Sequence, residues 1–157
     1  MSLEHELGFT KPIGLLGHEA LLNIYFTATC IKKRAAEFLR RFGLTDVQLN
    51  VMMLLHHQSG PEGGLSQAEI SDMMLVNRAN ITSLIDRMEK AKLVVRTAAA
   101  NDRRFNIVKL TDKAKKLFAK VDPLYAKEVT KTMACLKQTD QKKLIRMLER
   151  VRANITG

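Results

Sequence analysis

Residues 65–90 read LSQAEISDMMLVNRANITSLIDRMEK. Ser66 stands three residues before Glu69, the spacing of a capping box, in which each side chain satisfies the other residue's backbone N–H. The pattern predicts a short helix over 67–74 with Ile70, Met73 and Met74 turned inward. Leu75-Val76 leaves a two-residue break. Asn77 then suits an N-cap, because its short side chain accepts from the free N–H groups of a first turn. A second helix follows to about residue 91. Ile81, Leu84, Ile85 and Met88 recur at i, i+3, i+4 and i+7, so they form its buried face. Arg78, Asn80, Thr82, Ser83, Asp86, Arg87 and Lys90 are left facing outward.

Downstream, LVVRT (93–97) and RFNIVKL (104–110) are β-rich segments joined by AAAND, which reads as a hairpin. Two short helices with a tight break, followed by a hairpin, make a winged helix-turn-helix, with the second helix (77–91) as the recognition helix and 97–105 as the wing. Upstream, residues 13–42 carry Leu21, Ile24, Ala28, Ile31, Ala35, Phe38 and Phe42 at alternating steps of three and four, a heptad stripe that Gly43 ends. Thr45 or Asp46 caps a further helix carrying Val47, Val51, Leu54 and Leu55, and SGPEGG (59–64) is a loop. Thr111-Asp112 starts a long helical region that Pro123 is expected to kink or restart, with Asp122 as cap. A last helix from about 139 aligns Leu144, Leu148, Val151 and Ile155.

The fold class is therefore mainly α with a small β-hairpin. Its 157 residues amount to a single domain. A winged helix-turn-helix lobe over 44–111 is flanked by long N- and C-terminal dimerisation helices over 13–43 and 112–157. A lone chain of this length would struggle to bury both terminal stripes, whereas a homodimer covers each.

Charge points to the partner. The formal net charge is +10, and residues 77–116 alone carry 11 basic against 4 acidic groups. A clustered basic excess favours a polyanion. On the recognition helix, arginine can pair with guanine, asparagine with adenine, and a threonine methyl can pack on a thymine methyl. Arg78, Asn80, Thr82 and Ser83 lie in the first two turns, where reach into a major groove is best. Ser66, Gln67 and Thr82 are candidates for phosphate contact, and Asn77 and Arg87 complete the set. In the wing, Arg104 suits the negative potential of a minor groove, with Asp102 positioning it and Arg103 directed to phosphate.

Other chemistry is excluded or left plain. No window reaches the roughly 18 apolar residues of a membrane span, and no secretion signal precedes the first helix, so a cytoplasmic setting is expected. Cys30 and Cys135 match no metal or redox spacing, and an inert or buried Cys30 is expected. Adjacent His56 and His57 point apart on a helix, so neither metal nor cofactor is expected. There is no nucleophile–base pairing, phosphate-cradling glycine loop or carboxylate pair, which excludes an enzyme. Two classes remain: a DNA-binding regulator, and a protein-interaction or non-specific nucleoid-type module.

Residues 65–118, with the Leu-Ser-Gln start, LIDRMEKAKLVVR, the Asp-x-Arg wing and the V-x-L-T exit, resemble the MarR-type winged-helix transcriptional regulators of prokaryotes. The resemblance implies a homodimer with interlocked terminal helices on a pseudo-palindromic double-stranded DNA operator, usually a repressor released by a small ligand or an oxidant. It carries the wing pair onto Asp102 and Arg104, and the recognition contacts onto Arg78, Asn80, Thr82 and Ser83. It also implies an effector pocket for a small aromatic or amphipathic ligand, for which Tyr25, Phe26, Met52, His56 and Phe118 are candidates. The sequence departs from the family where glycine often stands at Ala91 or Lys92 and at Ala114.

Overall fold

The structure, a computed structural model, describes residues 2–60, 63–98 and 106–157. In chain order the elements are α1 (Leu3–Glu6), α2 (Leu16–Arg40), α3 (Asp46–His57), β1 (Leu65–Ser66), α4 (Gln67–Met74), α5 (Arg78–Lys90), β2 (Val94–Ala98), β3 (Asn106–Leu110), α6 (Asp112–Met133) and α7 (Gln138–Thr156). They group into two compact units, Met1–Ala114 and Lys115–Gly157.

The first unit holds the winged helix-turn-helix. Its core is built from Leu39 of α2, Leu49, Val51 and Met52 of α3, Ile70 of α4, and Ile81, Ile85 and Met88 of α5, closed by Val94 and Val108 of the sheet. The expected buried face of α5 thus holds in full: Ile81, Leu84, Ile85 and Met88 are all buried. In α3 the inward set differs in part. Val51 and Leu55 are buried as expected, but Leu49 and Met52 join them while Val47 is 38% exposed. Thr45, not Asp46, is the cap: its hydroxyl accepts from the Gln48 N–H at 3.2 Å, and the Gln48 side chain accepts from the Thr45 N–H at 3.0 Å.

The sheet has three strands rather than two, in the order β1-β3-β2, all antiparallel. Leu65 pairs with Val108 and Ser66 with Ile107, so the start of α4 is hydrogen-bonded to the returning strand of the wing. Gly64 makes this possible. A Cβ there would run into the Val108 carbonyl and the side chains of Ile107 and Lys109, so only glycine lets the chain lie flat on β3.

Three helices end alike. After α2, Gly43 takes a φ of +67°, with the Leu44 N–H donating to the Leu39 carbonyl. After α4, Leu75 takes +53°, with Val76 donating to Ser71; after α5, Lys92 takes +58°, with Leu93 donating to Met88. Each is a Schellman closure. The break between the two short helices is therefore a closed turn held by a non-glycine residue in the left-handed region. By the resemblance, glycine often stands at Ala91 or Lys92, and here Lys92 makes the left-handed turn without one.

That closure reverses part of the expected inward face of α4. Met73 is 48% exposed and Met74 half-buried, whereas Ser71 is buried, its hydroxyl donating to the Val76 carbonyl at 2.6 Å. A buried serine is tolerated because its proton has a partner inside the turn. Beyond the sheet, Thr111 joins wing to helix. Its N–H donates to the Leu93 carbonyl at 3.1 Å, its hydroxyl donates to the Lys92 carbonyl at 2.7 Å, and it accepts from the Ala114 N–H at 3.1 Å.

Upstream, the first long helix begins at Leu16 rather than 13, because Gly14 takes a left-handed φ of +50° just before it. The short α1 was not foreseen. Its Glu4 carboxylate accepts from the Ile13 N–H at 2.7 Å, which ties it to the segment ahead of α2. On α2, Leu21, Ile24 and Ile31 of the heptad stripe are exposed, and Phe38 is buried.

In the second unit α6 runs through Pro123 without a restart. Proline supplies no N–H to the Ala119 carbonyl, and one missing rung in a helix of 22 residues is borne. Gln141 closes the turn into α7 by donating to the carbonyls of Met133 and Leu136. No residue of α7 is buried within the chain, and Val151 and Ile155 of its apolar stripe are exposed.

Two glycine substitutions should move stability in opposite directions. Lys92→Gly removes a left-handed side-chain penalty and is expected to stabilise by about 0.5–1 kcal/mol after the added unfolded-state entropy. Gly64→Ala forces β1 away from β3 and is expected to cost about 1–3 kcal/mol. Urea midpoints of the two variants against wild type check both signs.

Candidate nucleic-acid interface

The outward face of α5 is polar throughout. Arg78, Asn80, Thr82, Ser83, Asp86, Arg87 and Lys90 are all exposed, and no large hydrophobic side chain of this helix is exposed. Asn77 is the N-cap: its side-chain oxygen accepts from the Asn80 N–H at 2.9 Å, which fixes where the helix begins. Arg87 lies back along the helix, its Nε donating to the Ser83 carbonyl at 3.2 Å. Beside it, Asn80, Arg87, Val76, Thr45 and Asp46 line an open cleft of about 400 Å³ at the start of α3.

Ser66 forms the capping box its spacing predicts. The Glu69 N–H donates to Ser66 Oγ at 3.2 Å, and the Ser66 N–H donates to Glu69 Oε2 at 2.7 Å. The hydrogen bonds from Ser66, its backbone N–H foremost, hold the Glu69 carboxyl below its usual pKa, against a small opposing effect of burial. The helix start therefore keeps its acceptor charged down to more acidic pH than a free glutamate would.

Arg96 is the residue that sequence reasoning missed. Within β2 its guanidinium donates from Nη1 to Glu89 Oε2 at 2.6 Å, from Nη2 to Asp86 Oδ1 at 2.5 Å and from Nε to Gln67 Oε1 at 3.0 Å. Its backbone N–H donates to Glu89 Oε1 at 3.1 Å. Burial alone would lower its pKa, but the hydrogen bonds to Asp86 and Glu89 outweigh that and raise it. One side chain thus ties α4, α5 and β2 together. A signal was present: Asp86 and Glu89 sit one turn apart on a helix otherwise suited to an anion, so a cation had to be near.

Gln67, a candidate for phosphate contact, is half-buried. It accepts from Arg96 and its Nε2 donates to Thr82 Oγ1 at 3.0 Å. The structure thus brings Gln67, Thr82, Asp86 and Arg96 into one network. Asp102, Arg103 and Arg104 lie outside the described residues. β2 and β3 pair as far as Ala98 and Asn106, the two ends between which that segment runs.

The effector candidates fall in different settings. Tyr25, Phe26 and His56 are exposed, Met52 is fully buried in the core, and Phe118 is 2% exposed. His56 packs edge-on against His57 with ring centroids 4.7 Å apart. Cys30, expected inert or buried, is exposed on α2, as is Cys135 near the end of α6. Among the described residues no group of three His, Cys, Asp or Glu side chains converges on a metal-sized site, and no helix is long and apolar enough to cross a membrane.

Arg96→Lys keeps the charge but not the three-way fork. It is expected to cost about 1 kcal/mol, the pairs being half in solvent. A urea midpoint equal to wild type would show that the network adds nothing to stability.

The chain matches the model of the MarR family over residues 42–104. It is similar to the HTH-type transcriptional regulator MhqR of Bacillus subtilis (strain 168), 28% identical over 116 residues that cover 74% of this chain and 77% of that protein. Among solved structures it is similar to the transcriptional repressor CouR bound to a 23-mer DNA duplex, with 27% identity and a TM-score of 0.73 over 90% of this chain and 98% of that one. It also shares the fold of MepR from S. aureus in a DNA complex, at 20% identity and a TM-score of 0.77 over 86% and 96% of the two chains. With its capped α4–α5 pair and three-stranded wing sheet, the chain is similar to the MarR family of transcriptional regulators, whose model matches residues 42–104.

Proposed function

We propose that this protein is a sequence-specific, dimeric DNA-binding regulator. It reads a pseudo-palindromic operator with recognition helix 77–91 in the major groove and wing 97–105 in the minor groove. The observation that carries this reading is the charge arrangement of α5. Its two acidic side chains, Asp86 and Glu89, are both paired to Arg96, while Arg78, Arg87 and Lys90 remain exposed. Carboxylates that would repel a phosphate backbone are thereby neutralised from within, and a cationic face is left. CouR and MepR, which share the fold, are each described on DNA.

Register-fixing phosphate contacts fall to Ser66 and Arg87, and base contacts to Arg78, Asn80, Thr82 and Ser83, with Asn77 setting the start of the helix. Arg104, positioned by Asp102, enters the minor groove, and Arg103 meets phosphate. Dimerisation uses the apolar faces that the single chain leaves uncovered: Leu21, Ile24 and Ile31 on α2, Val151 and Ile155 on α7. The lobes are 44–111 for DNA and 13–43 with 112–157 for the dimer. The regulator represses and is relieved by a small aromatic or amphipathic effector, for which Tyr25, Phe26, Met52, His56 and Phe118 are the candidates. It acts by binding, not by catalysis, in the cytoplasm.

The test is Arg104→Ala measured on a DNA duplex that the wild type binds. Affinity is expected to fall by about 1–3 kcal/mol, the loss of one groove contact. Unchanged affinity would remove the wing from the minor groove.

A further inference from the structure

Thr82 stands on the exposed face of α5, one turn beyond Arg78, and its hydroxyl is engaged on both sides. Oγ1 donates its single proton to the Arg78 carbonyl at 3.1 Å and accepts from Gln67 Nε2 at 3.0 Å. A threonine in a helix ordinarily divides between two rotamers, because either allows a bond to a preceding carbonyl. Here Gln67 adds a second partner that selects between them.

The Gln67 amide cannot be reversed. Arg96 Nε can only donate, so the Gln67 atom facing it at 3.0 Å must be the oxygen, which leaves the NH₂ group towards Thr82. Arg96 is in turn held by Asp86 and Glu89 of the same helix. The polarity of the whole relay is therefore set: carboxylates to guanidinium, guanidinium to amide oxygen, amide NH₂ to hydroxyl, hydroxyl to carbonyl. Thr82 has no proton left for an acceptor on a base edge such as thymine O4, so towards a thymine its methyl group is the part it can offer.

We propose that Thr82 is a specificity-determining residue that recognises the C5-methyl of a thymine through its own methyl group, and that Gln67 is the positioning residue that turns it there. The proposal rests on the DNA-binding reading above and refines one contact within it. It also gives Gln67 a role inside the protein, because its amide oxygen accepts from Arg96 and one of its two amide protons goes to Thr82.

The test uses a duplex enriched by the full-length protein from a random pool. Each thymine is replaced singly by uracil, which differs only by the absent methyl. At one position in each half-site, uracil is expected to weaken wild-type binding about fourfold, as for the burial of one methyl-sized group. Thr82→Ser, which lacks the methyl, should bind thymine and uracil equally at that position. Thr82→Val, which carries a methyl on either branch, should keep the preference. Gln67→Ala should reduce the thymine-to-uracil ratio there.

Enrichment of a duplex in which no thymine is sensitive to loss of its methyl would overturn this inference alone. So would a sensitive position whose ratio Thr82→Ser leaves unchanged. Equal weakening on every duplex by Gln67→Ala, with the ratio intact, would return Gln67 to the phosphates. Failure to enrich any duplex would overturn the DNA-binding reading and this one together.

Discussion

The guanidinium of Arg96 is the joint on which the winged helix-turn-helix of this protein depends. It reaches from β2 to two carboxylates on α5 and to the amide of Gln67 on α4, so the orientation of α5 is tied to the strand that leads to the wing. Apolar packing holds α5 against the core, but contacts between Leu, Ile and Met surfaces are indifferent to direction. Directional hydrogen bonds to a planar fork are not. Arg96 thus adds direction to an outward face that the burial of Ile81, Leu84, Ile85 and Met88 sets, and the capping bonds at Ser66 and Asn77 fix where each helix begins.

Most of this lobe could be read from residue order, and the reasons are local. The Ser66–Glu69 box, the Asn77 cap, the glycine exit at Gly43 and the four-residue apolar face of α5 are short-range signals that tertiary structure did not override. What escaped the reading depended on partners distant in sequence. β1 is two residues long, too short for any periodicity, and exists because Gly64 lets it lie on β3. The Arg96 network spans up to 29 positions. Met73 looked like a core residue by type, but it is exposed, while Ser71 lies inside with its hydroxyl bonded to the Val76 carbonyl beyond the closure. Pro123 looked like a break, yet a long helix absorbed the loss of one hydrogen bond.

The candidate site was legible in composition and less so in role. The exposed face of α5 has the expected residues, but they are not equivalent. Asp86 is held by Arg96, and Gln67 and Thr82 are bonded to each other, while Arg78 and Lys90 stand exposed. Polarity alone cannot tell a residue awaiting a ligand from one serving its neighbours; only the pattern of donors and acceptors does. The same logic explains the basic excess of residues 77–116. Part of it, Arg96, is structural and neutralised, while Arg78, Arg87 and Lys90 stay exposed.

Selection of DNA from a random pool by the purified full-length chain, with affinity followed against salt, addresses the central claim most directly. The expected result is an inverted repeat whose half-sites lie about one helical turn apart, roughly 34–36 Å between centres, as two recognition helices related by a two-fold axis require. Binding should also decline as salt rises, because displaced counterions contribute to it. Recovery of no motif, with binding that simply fades with salt, would contradict that claim and leave a charge-driven, non-specific association in its place.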